Sequence, residues 1–380
     1  MMAQTENSLT HLGDILKHII LNPEGFIPKH AADGLRSIMK GEASDSQMGG
    51  FLTALKLRGV DRQPEMIAAL AQVMLSNALM PSIETDAKDR GEFGVIADIV
   101  GTGGDGWNTF NISTTSSLVA AAAGLKMAKH GSRASSSNCG SADLLESMGC
   151  DLDVVTPSDV VDLLDRHNFC FLFSSTFHPS MRYLAKTRRE LGFPTPFNVL
   201  GPLTNPATPD RAVIGVHSKA LGPVMAEALH ILGRRNYAVV CGDENLDEIS
   251  IAGVSHVWHI QADGEITNYT IHPDDFGVST HPLSAAAGST LEQNNATLTR
   301  LLNSELKDRD VPIRDFVLIN TGFLLYVAGV ASSMKEGAQI ARHTLESGKV
   351  KNLLESFAQA TRQLRKMDKT LAAENLFTKQ

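Results

Sequence analysis

The chain has 380 residues, with 34 Lys and Arg against 42 Asp and Glu and a formal net charge of −8. That length accommodates about two domains. The acidic balance argues against a broad nucleic-acid-binding surface, so an anionic ligand has to be met by local cations or a metal. The four cysteines, Cys139, Cys150, Cys170 and Cys241, form no CxxC pair, which fits reduced thiols in a cytoplasmic protein rather than a disulfide frame or a zinc site. No signal peptide is expected, and no apolar run reaches the ~18 residues of a membrane span.

Residues 8 to about 80 read as helical. Leu9, Leu12, Ile15, Leu16 and Ile19 keep helical spacing, and Asn22-Pro23 ends that stretch. Ser44 and Gln47 have the spacing of a capping box that opens a second helix, with Gly59 as its stop, and Pro64 opens a third through Leu75. Residues 82–92 are polar and read as a linker. From Phe93 onward, strand candidates at 93–100, 125–129, 169–174, 212–217 and 237–242 alternate with helix candidates at 116–124, 141–148, 158–167 and 221–233. This grammar predicts an α/β fold: a mostly parallel sheet flanked by helices, with a smaller all-helical domain before it. The expected domains are 1–92, helical, with part of 180–206 packing on it, and 93–380, α/β. Residues 254–272 read as an added strand pair. Helix returns at 315–328, 334–346 and 353–364, and 281–297 reads as a surface excursion.

The segment most suggestive of chemistry is Gly101-Thr102-Gly103-Gly104-Asp105-Gly106, between a strand and the turn Asn111-Ile112-Ser113-Thr114 that precedes a helix. Glycines let a backbone approach a phosphate closely, and turn and helix N-terminal N–H groups point at it. Lys129-His130-Gly131 ends the next strand, and the acidic cluster from Asp243 to Glu248 follows the strand at 237–242. All three would lie at carboxyl ends of parallel strands, the edge where open α/β sheets bind ligands.

Lys129 and Arg133 suit phosphate neutralisation, with Ser135, Ser136 and Ser137 as hydrogen-bond donors; a solvated serine loop between surface cations is the alternative. Asp247 and Glu248 suit Mg²⁺, with Ser113 adding a hydroxyl; a solvated acidic turn or a helix cap fits them as well. Arg182, Lys186, Arg188 and Arg189 share a basic, helical stretch that either binds a carboxylate or is one solvated face. Residues 193–206 are too rich in Pro and Gly for regular structure and read as a rigid connector, a candidate hinge. His130 fits either acid/base work or a structural role, and His178 is equally open. No nucleophile elbow, Walker A sequence or dinucleotide fingerprint is present.

Taken together, Gly101-Thr102-Gly103-Gly104-Asp105, Asn111-Ile112-Ser113-Thr114, Lys129-His130-Gly131, Gly140-Ser141-Ala142-Asp143, Arg188-Arg189-Glu190-Leu191-Gly192, Gly201-Pro202-Leu203-Thr204-Asn205-Pro206 and Asp247-Glu248-Ile249-Ser250 closely resemble the anthranilate phosphoribosyltransferase family. Glu336-Gly337 and Ser347-Gly348-Lys349 fit it too, and the resemblance spans about residues 9 to 357. No fused amidotransferase domain is expected. The resemblance implies a two-domain fold of the nucleoside phosphorylase and phosphoribosyltransferase type, a homodimer joined through the helical domains, and transfer of phosphoribosyl from phosphoribosyl pyrophosphate to the anthranilate nitrogen, in tryptophan biosynthesis.

By the same resemblance the donor would be held by Gly101, Gly104, Asp105, Thr109, Asn111, Ile112, Ser113, Thr114, Lys129, His130, Gly131, Ser132, Arg133, Ala134, Ser135, Ser136, Ser137 and Ser141. Ser113 and Glu248 would hold one Mg²⁺, Asp247 and Glu248 a second. Arg188, Gly101 and Ser132 would meet anthranilate. Ser132 departs from the family, which usually carries Asn after Lys-His-Gly. A pyrimidine nucleoside phosphorylase and a nucleic-acid-binding relative are the competing readings; Arg188 and the Asp247-Glu248 pair stand against the first, the acidic balance against the second.

Overall fold

The computed structural model describes residues 11–83, 94–134 and 139–377. Helices α1 (Leu12–Leu21), α2 (Pro28–Met39), α3 (Asp45–Leu57) and α4 (Pro64–Ser76) come first. The capping box forms as the spacing predicts: Gln47 N–H donates to Ser44 Oγ at 3.3 Å, and Ser44 N–H to Gln47 Oε1 at 3.0 Å. Helix α2 is an addition to the three predicted stretches. Its buried face relies on Ala31, Ala32 and Gly34, with Leu35 and Ile38, and the Phe51 ring lies where a Cβ on Gly34 would be. Small residues weaken the periodic apolar signal that marks a helix. Leu9 and most of the expected linker, 84–92, lie outside the described residues.

The α/β part runs β1 (Ile96–Gly101), α5 (Ile112–Ala122), β2 (Lys126–Gly131), α6 (Ser141–Ser147), α7 (Val160–His167), β3 (Phe169–Phe173), α8 (Ser174–Phe177), α9 (Arg182–Leu191), α10 (Phe197–Leu200), β4 (Arg211–Gly215), α11 (Leu221–Ile231), β5 (Tyr237–Gly242), β6 (Ser255–Ile260) and β7 (Ile266–Ile271). It closes with α12 (Leu291–Asn303), α13 (Val311–Val327), α14 (Met334–Glu346) and α15 (Lys349–Phe377).

Four expectations need correction. Asn111-Ile112-Ser113-Thr114 is not a turn ahead of the helix, because α5 begins at Ile112 with Asn111 as its N-cap. The 193–206 connector contains α10 and a 3-10 turn at Gly201–Leu203, since Pro196 stands at the N-cap of the first and Pro202 in the first turn of the second, where a missing N–H is tolerated. The last helix is longer than 353–364. Residues 281–297 are not a mere surface excursion: Leu283 and Ala286 are buried, and Thr290 caps α12 by accepting from Gln293 N–H.

The sheet has seven strands in the order β3-β2-β1-β4-β5-β6-β7. Strands β1 to β5 are parallel, and β6 and β7 add antiparallel neighbours at one edge. The chain builds outward from β1 to β3, then returns to β4 on the other side of β1. The switch point therefore lies between β1 and β4, where such sheets open a ligand crevice.

Side chains alternate across the sheet. Val213, Ala238 and Val240 face one core with α5 and α13 to α15; Ala212, Ile214, Val239 and Cys241 face another with α1 to α4 and α11. Leu184 of α9, Phe197, Val199 and Leu200 of α10, and Leu203 join the second core. Both faces are thus covered, as a parallel sheet requires.

In the first core α13 and α14 cross with backbones touching. A Cβ on Gly322 would lie 2.6 Å from Ala338 N and 2.9 Å from Ala338 Cα. Neither atom can yield without moving a helix. Gly322→Ala is expected to destabilise the protein by about 1–3 kcal/mol, as overpacking does, read as a lowered urea midpoint; an unchanged midpoint would mean that the helices separate freely.

Candidate active site

The switch point is paved with glycine. Gly101 and Gly215 are the last register partners of β1 and β4. The Asp247 carboxylate lies where a Cβ on Gly101 would be, and the Asp247 carbonyl where one on Gly215 would be. The loop after β5 therefore lies directly on the strand ends.

Three hydrogen bonds join that loop to the glycine turn. Gly103 N–H donates to Asp247 Oδ2 at 2.6 Å, Asp247 N–H to Asp105 Oδ2 at 3.5 Å, and Trp107 Nε1–H to the Glu244 carbonyl at 3.1 Å. Gly103 and Gly104 have φ of +67° and +80°, a region costly for residues with a Cβ, so the turn can aim its N–H groups at the crevice. From behind, buried Asn320 of α13 donates to the Ile249 carbonyl at 3.1 Å and accepts from Ile249 N–H at 3.1 Å, fixing the chain just after Glu248.

The carboxylates crowd one another. Burial and the neighbouring Asp105 push Asp247 up to about 7. Burial and Asp247 hold Glu248 well above the usual carboxylate range, opposed by Lys129 and by the Ser113 N–H at the start of α5. Such a group calls for a cation. Among the described residues no three ligand-type side chains close into a cage; magnesium needs only one or two carboxylates, with water and substrate phosphate completing its shell. The oxygen-only donors Ser113, Asp247 and Glu248 fit that ion; all three are half-buried rather than solvent-exposed, which disfavours a freely solvated turn.

Lys129 is fully buried, so it is no surface cation. Its ammonium donates to the Ile99 carbonyl at 2.8 Å and faces Ser113 Oγ at 3.5 Å. Burial lowers its pKa, while Asp98 and Glu248 support the charge. Asp98, buried in β1, is raised to about 6 by desolvation, against the pull of Lys129 and of Asn205. Asn205 donates to Asp98 Oδ2 at 2.8 Å and to the Ala128 carbonyl at 2.7 Å, which pins the end of the connector under β1 and β2.

His130 and His178 hold the same connector. His130 Nδ1 lies 3.3 Å from the Gly201 carbonyl, His178 Nε2 2.9 Å from the Thr204 carbonyl, and the rings are 5.1 Å apart. Burial pushes His130 down to about 3, helped by His178, and His178 down to about 4. Both rings are therefore neutral near pH 7. This geometry favours the structural reading for His130.

The loop after β2 folds back on α6. Asp143 Oδ2 accepts from Ala134 N–H and Gly140 N–H, each at 2.8 Å, and Ala142 N–H donates to the Ser132 carbonyl at 3.1 Å. Ser141 packs against Gly131, and the Ser132 side chain is exposed. Arg133 turns away, forming a two-pronged pair with Glu146 and lying over the Phe173 ring. Ser135, Ser136 and Ser137 lie outside the described residues. Ile112 and Thr114 are buried in α5, and Thr109 bridges to Ala287.

Arg188 of α9 sits against the connector. Its guanidinium lies 5.8 Å from the centre of the Phe197 ring. Burial lowers its pKa, and no carboxylate among the described residues opposes that shift. Lys186 is paired with Asp45 and Arg182 lies over Tyr183, whereas Arg188 is half-buried and Arg189 exposed.

Sequence reasoning did not single out Asp98 or Asn320 as supports of the strand ends and acidic loop, and quoted Asn205 only within a motif. The available signal was a polar residue inside an apolar run, as Asp98 is between Ala97 and Ile99 and Asn320 between Ile319 and Thr321.

Residues 94–351 match the a/b domain of a glycosyl transferase family, and residues 14–78 match its helical bundle domain. Anthranilate phosphoribosyltransferase from Schizosaccharomyces pombe is 43% identical over 329 residues, 87% of this chain and 91% of its own length. The crystal structure of the Thermus thermophilus enzyme superposes with a TM-score of 0.81 at 41% identity, covering 92% of this chain and 99% of that one. The Saccharomyces cerevisiae enzyme in complex with PRPP and Mg gives a TM-score of 0.83 at 33% identity, covering 93% and 98%. That yeast enzyme has also been solved in complex with 4-fluoroanthranilate. With both domains matched and close relatives aligned over most of its length, the chain belongs to the anthranilate phosphoribosyltransferase family.

Proposed function

We propose that the crevice at the β1–β4 switch point is where this chain moves a 5-phosphoribosyl group from phosphoribosyl pyrophosphate to the anthranilate nitrogen, releasing pyrophosphate, in tryptophan biosynthesis. The observation that carries this reading is the meeting of the glycine turn, the α5 N-terminus and the Asp247-Glu248 loop at one point. The N–C1 bond forms as the C1–O bond breaks, the electron pair of that bond leaves with pyrophosphate, and the nitrogen gives up its surplus proton to water.

Gly101, Gly104, Asp105 and the 109–114 segment hold the donor, with N–H groups and the positive end of α5 meeting its phosphates. Lys129, buried beside Ser113, supplies fixed positive charge from below. The loop from His130 to Ala134 and Ser141 close the other side, with Arg133 contributing through its backbone position while its side chain braces α6. Two Mg²⁺ ions are assigned, one to Ser113 and Glu248 and one to Asp247 and Glu248. Bound there, Mg²⁺ neutralises charge on the departing pyrophosphate. Arg188 binds the anthranilate carboxylate, with Gly101 and Ser132 beside the ring. Anthranilate is a weak nucleophile and pyrophosphate a good leaving group, so positioning carries more of the rate than strong base catalysis, consistent with a neutral His130. Closure of residues 1–92 against 93–380 about the connector excludes water from the activated ribose.

The helical part carries exposed apolar side chains, Ile20 at 67%, Leu21 at 81% and Leu57 at 83% exposure. This supports a homodimer joined there. Four buried cysteines that form no disulfide among the described residues suit the cytoplasm, and among the described residues no helix is long and apolar enough to cross a membrane.

Mixing protein with anthranilate and phosphoribosyl pyrophosphate is expected to give Mg²⁺-dependent loss of anthranilate fluorescence matched by pyrophosphate release. Asp247→Ala with Glu248→Ala abolishes it, and Arg188→Ala raises the anthranilate KM by roughly tenfold to a hundredfold, the worth of hydrogen bonds to a charged group. Base release that needs inorganic phosphate and no Mg²⁺ would replace this reading with a phosphorylase. Ser132→Asn is expected to keep turnover and change acceptor affinity modestly; collapse of kcat would mean that the Gly131–Ala134 backbone is arranged differently. Wild-type protein is expected to sediment as a dimer and Leu57→Glu as a monomer, and a monomeric wild type would overturn the proposed interface.

A further inference from the structure

The segment from 286 to 294, which the reading above leaves without a role, is attached to the donor site along its length. Phe110 N–H donates to the Ala286 carbonyl at 3.1 Å, Thr109 and Ala287 form an antiparallel bridge, and Gly288 N–H donates to the Asn108 carbonyl at 2.6 Å. At its end stands Asn294, a polar side chain only 4% exposed. Asn294 Oδ1 accepts from Ser289 N–H at 2.9 Å. Asn294 Nδ2 donates to Asn111 Oδ1 at 3.5 Å, and Asn111 Nδ2 donates to the Cys139 carbonyl at 2.9 Å.

That relay joins two separate parts of the proposed donor site. Asn111 caps α5, whose first turn carries Ser113. Cys139 precedes Gly140, and Gly140 packs on the Arg133–Ala134 backbone while sharing the Asp143 carboxylate with Ala134 N–H. Both polar ends of the Asn111 amide are thus used within the protein. The Asn111 side chain acts as a strut between the α5 N-terminus and the loop after β2, and Asn294 sets the angle of that strut. An amide is free to rotate unless both its ends are held, and a phosphate cradle loses affinity when its donors are misaimed.

We propose that Asn294 is a positioning residue for the phosphoribosyl donor, acting through Asn111 to fix the spacing between the 109–114 segment and the loop that returns to α6. The proposal rests on the reading of the crevice given above. It assigns Asn294 no contact with either substrate.

The test is calorimetric titration of phosphoribosyl pyrophosphate with Mg²⁺ into wild-type protein and Asn294→Leu, with steady-state kinetics alongside. Leucine is somewhat larger, has no polar side-chain atom, and removes the hydrogen bonds to Ser289, Asn111 and the Cys139 side chain. Donor Kd and KM are expected to rise by about fivefold to twentyfold, the worth of one or two buried hydrogen bonds. At saturating donor, kcat and the anthranilate KM are expected to stay within about twofold, a split that loss of folded protein would not produce. Asn111→Ala is expected to weaken the donor at least as much, and Asn294→Leu to add little on that background, because most of its effect passes through Asn111. If Asn294→Leu does not fold, Asn294→Asp keeps the acceptor for Ser289 and removes the donor to Asn111, and is expected to weaken the donor in the same way. Unchanged donor affinity in a folded variant, or additive losses in the double variant, would overturn the proposal. A wild type that does not bind the donor would instead overturn the reading of the crevice, and this inference with it.

Discussion

The paired glycines at the ends of β1 and β4 set the geometry of everything around them. Because Gly101 and Gly215 have no side chains, the backbone and carboxylate of Asp247 occupy the space above the strand ends. Any larger residue at either position would lift the acidic loop away from the glycine turn. That loop is held on both sides, by Gly103 N–H and Trp107 in front and by the Asn320 amide behind. A flexible acidic loop would pay an ordering cost on meeting a metal; one seated on the sheet has met that cost in folding.

Charge is distributed with the same economy. Asp105, Asp247 and Glu248 gather at the sheet edge, and the buried cation close to them is Lys129, itself balanced by Asp98. Buried charge is costly unless paired. Here Lys129 has Asp98 on one side and Glu248 on the other, so the ammonium is held in the interior and its charge is available beneath the α5 N-terminus. The histidines contribute in the opposite way. Neutral and buried, His130 and His178 act as hydrogen-bonding spacers that hold the 193–206 connector, not as proton carriers.

The connector links the two cores. Its middle, Phe197 to Leu203, packs with the helical bundle, and its end, Asn205, is clamped to β1 and β2. Arg188 rests on Phe197 and so belongs to the helical side, whereas the glycine turn belongs to the sheet. On the proposed reading, an acceptor held by Arg188 and a donor held at the switch point would be carried by different cores. Their approach is then governed by how those cores sit on one another.

Much of this was legible in the residues. Alternating apolar runs and helical stretches determined the α/β grammar, the parallel strands β1 to β5 and the added pair after them. Glycine, serine and acidic residues at strand ends located the crevice, because the carboxyl ends of parallel strands share one edge. The capping box at Ser44 was readable since its two hydrogen bonds are local. Helix α2 was not, because its buried face depends on small residues that only Phe51 makes meaningful. The sequence by itself therefore determined the α/β grammar, apart from α2 and the helical turns of the connector, and which residues of suitable chemistry lie at the strand ends. Only the tertiary structure decided that Lys129 is buried, that Arg133 pairs with Glu146, that His130 is a spacer, that Asn205 and Asn320 brace the strand ends and the loop after β5, and that Asn294 reaches Asn111. Each of those outcomes depends on a partner more than ten residues away, and no local spacing encodes such a contact.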